Sequence, residues 1–254
     1  MQKDSDEDNP AIFVNSDSGY DYVEIKNSVF ENIHANHLYP LINAKSFILE
    51  IENTIFSNCH TDYGFLFDIV NKFNDQGHII IKNTTFTKSD TIFSGNNCKI
   101  NITDSHISET ISNRENPAIF YSKNSIINIT NTEFSDLDLM VGLFYENAIY
   151  SFINIKFNNI TTNAQALLHF LYIDIPFNNV EMSNIKCIGN SSVFLFESDE
   201  NEMIIDLNNL NVNSCVSNGP FMKTLGNNNH IVIKDSNLSN ISSYGPVIDF
   251  SSYT

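Results

Sequence analysis

The stretch Ile127-Asn128-Ile129-Thr130-Asn131-Thr132-Glu133-Phe134 contains the pattern that decides the fold. Apolar residues lie four and two positions before Asn131, and an aromatic residue lies three positions after it. The same frame fits nine segments, whose anchor residues are Asn27, Asn53, Asn83, Asp104, Asn131, Asn154, Asn184, Asn209 and Asp235. Eight intervals separate the first anchor from the last, with a mean of 26 residues. The chain is therefore predicted to be a tandem repeat.

Each anchor follows a short alternating pattern. The positions four and two residues before the anchor are apolar in all nine segments, while the residue between them varies. A period of two predicts a β-strand with one buried face. A second apolar segment follows in each repeat, for example Pro117-Ala118-Ile119-Phe120, and no segment keeps a period of 3.6 residues. Each repeat is predicted to hold about three short strands, and the chain few or no helices.

A repeat of two or three short strands cannot bury its apolar face alone, so the repeats are expected to stack as a parallel coil. Nine to ten coils at about 4.8 Å each make a rod roughly 45 Å long. A corner between strands needs a left-handed backbone, which Asn and Asp tolerate better than other non-glycine residues. Stacked amides also bond to one another. The anchors are therefore expected to form a ladder along an inner bend of the coil.

Tandem apolar-x-apolar-x-Asn-x-x-Phe segments resemble the right-handed parallel β-helix of the pectate-lyase-like family, over residues 10 to 250. The resemblance implies an all-β, right-handed, single-stranded parallel β-helix with an internal asparagine ladder. On this basis residues 10–254 are predicted to be one domain, preceded by a flexible acidic segment at residues 1–9. No polar caps are evident at the ends of the pattern, so the domain is expected to belong to a longer repeat array.

The charge of the chain argues against two classes of partner. The sequence has 13 Lys and Arg against 30 Asp and Glu, a net charge of −17. Nucleic acids and anionic membrane surfaces both require clustered positive charge, so neither is expected as a partner. No segment approaches the roughly 20 apolar residues of a membrane-spanning helix, and membrane insertion is not expected.

The catalytic patterns of the resembled family are incomplete in this chain. Its lyases use clustered carboxylates with a basic residue, but Arg114 is the only arginine and has one acidic neighbour, Glu115. Its hydrolases carry paired aspartates, Gly-His-Gly and Arg-x-Lys, whereas Gly77-His78 continues into Ile79. We therefore predict no catalytic residue and no cofactor. Calcium or a basic partner bound by the acidic runs 6–8 and 199–202 is the alternative to simple solvation of these runs.

Histidines and cysteines suggest further alternatives. His34, His37 and His60 are interpreted as solvated loop residues, and a metal site is the less favoured interpretation. Cys187 occupies the column three after an anchor and is predicted to be a small buried apolar residue. A disulfide between Cys187 and Cys215 is left open, because the two residues lie in consecutive repeats but in different columns.

Asn-x-Ser/Thr sequons provide candidate glycosylation sites. Six are possible acceptors if the chain is secreted: Asn101, Asn128, Asn159, Asn190, Asn237 and Asn240. A seventh sequon contains the anchor Asn83, which is expected to be inaccessible.

The Asn, Ile, Phe and Lys bias and the tandem repeat also resemble the extracellular scaffoldins of anaerobic gut fungi, which assemble cellulosomes. This resemblance implies a non-catalytic, extracellular, cohesin-like module that binds dockerin domains of secreted carbohydrate-active enzymes. The alternatives are a polysaccharide lyase or hydrolase and a surface adhesin or carbohydrate-binding β-helix. The contact surface is not predicted. Tyr63, Tyr145 and Tyr172 are candidate anchors for a protein partner, with burial in the core as the other interpretation.

Overall fold

The computed structural model describes residues 13–17, 21–35, 39–71, 77–112, 117–198 and 202–251. Within these ranges the chain forms 24 strands and no helix. Numbered in chain order, the strands are β1 (Val14–Ser16), β2 (Tyr22–Lys26), β3 (Val29–Ala35), β4 (Ile42–Lys45), β5 (Ile48–Glu52), β6 (Ile55–Thr61), β7 (Phe65–Val70), β8 (Gly77–Lys82), β9 (Thr85–Thr87), β10 (Thr91–Asn96), β11 (Cys98–Thr103), β12 (His106–Ser108), β13 (Ile111–Ser112), β14 (Phe120–Lys123), β15 (Ile126–Leu139), β16 (Ile149–Thr162), β17 (Ala166–Leu171), β18 (Ile175–Cys187), β19 (Ser192–Glu197), β20 (Met203–Ser217), β21 (Met222–Leu225), β22 (Asn229–Lys234), β23 (Asn237–Ser243) and β24 (Ile248–Ser251).

The strands form a parallel β-solenoid, which confirms the predicted fold class. Every strand pairing is parallel and joins equivalent positions of successive coils, as in β15 with β16 and β16 with β18. A 15-stranded sheet contains the strands on both sides of the anchors. A second surface, called the wall below, consists of the five-stranded sheet β1-β4-β7-β10-β14 and the four-stranded sheet β17-β19-β21-β24. The solenoid has about eight turns, fewer than the nine to ten expected. The right hand of the coil stays a prediction.

The core is a column of apolar side chains that stack from coil to coil. The Phe56 ring lies parallel to its equivalents on either side, with centroids 4.8 Å from Phe30 and 5.0 Å from Phe86. Phe56 and Phe86 are each only 1% exposed. Because each ring contacts the rings above and below it, loss of one ring disturbs three coils. The described residues include no helix long and apolar enough to cross a membrane.

The corner residues form a regular column, called the first column below. Its members are Asn27, Asn53, Asn83, Asp104, Asn131, Asn154, Asn179, Asn209 and Asp235, all with φ between 46° and 57°. The side chains bond from coil to coil, since Asn131 Nδ2 donates to Asp104 Oδ1 at 3.0 Å and Asn154 Nδ2 donates to Asn131 Oδ1 at 2.8 Å. These hydrogen bonds tie together coils that are distant in sequence.

The first column lies on the outside of the solenoid, so the expectation of an inner ladder is wrong. Asn131 is exposed, as is Asn83, which was expected to be inaccessible. The physical reason is the left-handed residue, which interrupts the alternation of the strand. Thr130 and Asn131 both face outward, and Thr132 is the next side chain to enter the core, with 1% exposure.

The residue after the anchor therefore faces inward, and in six coils it carries a hydroxyl group: Ser28, Thr54, Thr84, Ser105, Thr132 and Ser236. Ser105 Oγ accepts a hydrogen bond from Thr84 N at 3.2 Å and donates to Thr103 O at 2.8 Å. Thr132 Oγ1 likewise donates to Thr130 O at 2.9 Å. The Ser105 hydroxyl thus satisfies a backbone N–H at the corner. The carbonyls of Thr103 and Thr130 also accept a backbone hydrogen bond from the neighbouring coil, so the hydroxyls add a second bond to them.

In one coil the predicted anchor is wrong. Asn179, not Asn184, lies above Asn154, and Asn179 Nδ2 donates to Asn154 Oδ1 at 2.8 Å. The repeat pattern fits the sequence whether it starts at Ile175 or at Val180. The pairing of β18 with β16 follows the start at Ile175, since Phe177 lies opposite Phe152. Periodicity alone does not distinguish the two registers.

Asn184 belongs to a second column of left-handed corners, five residues further along each coil. Its members are Asn32, Asn58, Lys88, Glu109, Asp136, Asn159, Asn184, Ser214 and Asn240, with φ between 51° and 59°. Asn159 Nδ2 donates to Asp136 Oδ1 at 2.6 Å, so bonds between coils occur here as well. Within the described residues, the sheet that contains the anchors thus carries two outward columns of corners that share one backbone conformation.

Candidate functional site

The wall is interrupted in one coil. Between β14 and β17, residues 142–146 form no strand, and the only ladder contact is an isolated bridge from Phe144 to Phe120. The segment remains bonded to the next coil, because Leu143 N donates to Leu167 O at 3.0 Å. The break separates the five-stranded sheet from the four-stranded sheet and coincides with a cleft on the outer surface.

A buried tyrosine holds the interrupted segment in place. Tyr150 is 1% exposed, and its hydroxyl donates to the backbone carbonyl of Tyr145 at 2.7 Å. Burial, followed by the charge of Glu146, raises the pKa of Tyr150 well above its usual value, so the hydroxyl keeps its proton. Tyr150 therefore fixes a backbone carbonyl that the missing strand leaves without a ladder partner.

The cleft has a volume of about 450 Å³. Its lining includes Tyr121, Val141, Tyr145, Glu146, Ala164 and His169, and we call it the tyrosine cleft. These residues come from β14, the bend after β15, the interrupted segment itself and β17 with the turn before it. Three successive coils therefore contribute to one surface feature.

Two tyrosines line the cleft, and a lysine outside its lining lies beside them. Tyr121 and Tyr145 are half-buried and meet edge to face, with ring centroids 5.1 Å apart and an interplanar angle of 81°. Lys123 Nζ lies 5.5 Å from the Tyr121 centroid and 5.8 Å from the Tyr145 centroid. An ammonium at these distances is attracted to the ring faces. A hydrogen bond with Tyr121, followed by the charges of the two phenolic groups, raises the pKa of Lys123.

The aromatic surface extends beyond the cleft. The Phe65 ring stacks against Tyr121 at 6.1 Å, and Tyr63 contacts Phe65 at 5.3 Å. Tyr63 donates from its hydroxyl to Asp68 Oδ2 at 3.1 Å. Burial and then the nearby Asp68 raise the pKa of Tyr63 to about 12. These contacts hold Tyr63 and Tyr121 against Phe65 of β7.

One carboxylate, Glu146, and one histidine, His169, also line the cleft. His169 Nε2 lies 2.7 Å from Glu197 Oε1, and the two side chains are only 21% and 17% exposed. Glu146 is half-buried beside Tyr145, and burial followed by the Glu146 charge raises the pKa of Tyr145. The cleft therefore combines aromatic faces with acidic groups.

The structure places two of the three predicted tyrosine anchors on this surface. Tyr145 lines the cleft and Tyr63 lies in the adjoining aromatic group, whereas Tyr172 is 55% exposed at the corner after β17. Sequence reasoning missed Tyr121 and Glu146. The signal was available, since Phe120-Tyr121 and Phe144-Tyr145 end equivalent apolar segments of consecutive repeats.

The histidines suggested as metal ligands lie elsewhere. His34 Nε2 is 3.4 Å from Asp62 Oδ1, and His60 Nδ1 is 3.2 Å from Asp90 Oδ1, each on a neighbouring coil. His37 lies outside the described residues. In the part of the chain that the structure describes, no three His, Cys, Asp or Glu side chains are placed to hold a metal ion.

All four cysteines are buried free thiols, so the alternative of a Cys187–Cys215 disulfide does not hold in this structure. Burial is the main cause that raises the pKa of Cys98 and Cys187 to about 12 and that of Cys215 to about 11. Cys187 is 1% exposed, as predicted for a small apolar residue. It reaches the core without occupying the phenylalanine column, which Met182 takes in its coil.

The candidate glycosylation sites differ in their surroundings. Asn101 and Asn128 are half-exposed, and Asn128 Nδ2 donates to Asn101 Oδ1 at 2.9 Å. Asn159 and Asn240 are corner residues of the second column. The other two candidates, Asn190 and Asn237, are exposed. Glycan occupancy at all six stays a prediction.

Several other candidates lie outside the described residues. They are the acidic segment 1–9, Arg114 and residues 199–201 of the acidic turn. No protein-family model, curated protein or solved structure shows a significant match to this chain. The function is therefore argued from the geometry of the tyrosine cleft.

Proposed function

We propose that this chain is a non-catalytic extracellular interaction module that docks a protein partner on the tyrosine cleft. The observation that carries the proposal is the pair Tyr121 and Tyr145, which is half-buried at a concave surface where the wall is interrupted. Tyrosine is enriched among the residues that dominate binding energy, because it offers a large amphipathic surface for few rotatable bonds.

The surrounding structure supports this use of the tyrosines. Their rings are held by Phe65 and by each other, so little side-chain entropy is lost when a partner covers them. Repeat solenoids commonly bind partners along their extended surfaces, and a local interruption of the sheet creates a distinctive shape on an otherwise regular wall.

The finer proposal concerns the identity of the partner. The composition and repeat style resemble scaffoldins, and this resemblance supports a cohesin-like role in which the partner is a dockerin domain of a secreted carbohydrate-active enzyme. A rigid module that docks small domains fits such a role, since it spaces the bound enzymes without taking part in their chemistry.

The proposal is tested by capture of partners from the native secretome on immobilised protein, with mass spectrometry of the bound proteins. Tyr121→Ala combined with Tyr145→Ala is expected to reduce capture of the specific partner at least tenfold, as for loss of aromatic anchors. Tyr244→Ala is the matched control, because this tyrosine is 83% exposed and lies outside the cleft. Equal capture by the double variant and the wild type contradicts the docking surface.

The same experiment also tests the catalytic alternative, which the presence of His169 and Glu146 in the lining of one cleft favours. Release of reducing ends or unsaturated uronides from polysaccharide by the wild type, with loss of this release in Glu146→Gln, replaces the binding proposal with a hydrolase or lyase. Binding of glycans without any protein replaces it with a carbohydrate-binding or adhesin role.

A further inference from the structure

A lysine outside the lining of the tyrosine cleft already places a cation beside its two tyrosine rings. Lys123 Nζ sits within 6 Å of the centroids of both Tyr121 and Tyr145, at 5.5 and 5.8 Å. The geometry of these rings therefore suits an ammonium or guanidinium group, which is attracted to an aromatic face.

The cleft also contains a carboxylate without a partner of opposite charge. Glu146 lines the cleft and is half-buried, yet no described Lys, Arg or His lies within ion-pair distance of it. Lys123 influences Glu146 only from a longer range. A partly desolvated carboxylate of this kind gains more from a cationic ligand than a fully exposed one does.

The charge of the whole molecule acts in the same direction. With a net charge of −17, the chain attracts positively charged groups and repels acidic ones during encounter. The local and global electrostatics thus favour the same class of ligand.

We propose that the tyrosine cleft binds a basic side chain, arginine or lysine, that projects from the partner, with Glu146 as its counter-ion and Tyr145 as the aromatic face. This inference rests on the proposed function, since it names the chemistry of the partner at the same site. Arginine and lysine share the cationic chemistry, and arginine adds a planar group that stacks on tyrosine.

The direct test uses short peptides as probes. Acetyl-Gly-Arg-Gly-amide and acetyl-Gly-Lys-Gly-amide are titrated into the full chain and followed by two-dimensional NMR of backbone amides. The citrulline peptide, which is nearly isosteric with the arginine peptide but neutral, serves as the control ligand. The basic probes are expected to shift the signals of residues 142–146, and the citrulline probe is expected to leave them unchanged.

Charge variants separate this site from general attraction to an acidic protein. Glu146→Gln is expected to weaken binding of the basic probes at least threefold at the cleft. Glu181→Gln makes the same change of charge at an exposed residue that pairs with Lys156 at 3.7 Å, and it is expected to leave binding unchanged. Lys123→Met removes the resident ammonium and is expected to strengthen binding of the basic probes, because both tyrosine faces and Glu146 then serve the ligand alone.

The outcomes distinguish the two proposals. Equal binding of arginine and citrulline probes, or equal weakening by Glu146→Gln and Glu181→Gln, overturns the cationic ligand. If partner capture is lost in the double tyrosine variant but unchanged in Glu146→Gln, the docking surface stands and the cationic side chain is rejected. If the double tyrosine variant captures its partner normally, the proposed function itself fails.

Discussion

At the scale of single residues, the corner asparagine has two separate roles. Its left-handed φ turns the chain, and its side chain bonds to the coils above and below. Asn131 shows both, with φ of 49° and side-chain hydrogen bonds to Asp104 and Asn154. Glycine shares the first property with asparagine but lacks the second, which makes the two roles experimentally separable.

Asn131→Ala is expected to destabilise the protein by about 2 kcal/mol, because alanine meets the left-handed penalty and loses the side-chain bonds. Asn131→Gly is expected to cost about 1 kcal/mol, since only the bonds are lost. Urea denaturation measures the loss of stability in both variants. Asn190→Ala, at an exposed residue between β18 and β19, serves as the control. Equal midpoints for the alanine and glycine variants would show that the backbone conformation contributes nothing.

Residue patterns predicted which residues form the corners but not the direction of their side chains. If side chains alternated strictly, Asn131 would face inward, as Ile129 does. The left-handed residue instead shifts the alternation by one position, so Asn131 faces outward. The same shift explains why Thr132, rather than Asn131, enters the core. The inner hydroxyl groups were therefore missed, although Ser or Thr follows the anchor in most repeats.

At the scale of elements, the interrupted wall strand is the feature that creates the cleft. Gly142-Leu143-Phe144 matches the apolar segment of other repeats, so the pattern predicted an ordinary strand here. The structure instead shows one isolated bridge and a carbonyl bonded to Tyr150. The Tyr150 side chain, from the strand that follows, takes the place of a backbone contact of the sheet. The periodicity of the sequence does not reveal this replacement.

Tyr150→Phe is expected to loosen this segment, because it removes the partner of the Tyr145 carbonyl while the ring still fills the core. The loss of global stability should be about 1 kcal/mol. Amide hydrogen exchange of residues 143–146 should accelerate more than exchange elsewhere in the wall. Tyr63→Phe, which removes a bond from tyrosine to the Asp68 side chain, is the matched control. Unchanged exchange in residues 143–146 would contradict the assigned role of Tyr150.

At the scale of the whole molecule, the repeat predicted a parallel all-β stack, and the structure confirms that class. The repeat did not determine the register of one coil, where frames anchored at Asn179 and Asn184 both satisfy the pattern. It also did not locate the tyrosine cleft, since this site joins three coils at the point where the regularity fails. Features that repeat are visible in the sequence, and a site built on a local departure from the repeat is not.

The most direct test of this account is disulfide mapping of the stacked corners. Asn154→Cys with Asn179→Cys places two thiols on neighbouring strands about 4.8 Å apart, within the range that a disulfide bridges. Asn154→Cys with Asn184→Cys places them in different columns, about 16 Å apart along the strand direction. The four native thiols are expected to stay protonated at pH 8. Burial raises the pKa of each of them, to about 12 for Cys98 and Cys187 and to about 11 for Cys215.

After mild oxidation, peptide mass spectrometry is expected to find the bridge in the Asn154/Asn179 pair and free thiols in the Asn154/Asn184 pair. A bridge in the second pair alone would contradict the register of the solenoid, and no bridge in either pair would contradict the coaxial stacking of its coils.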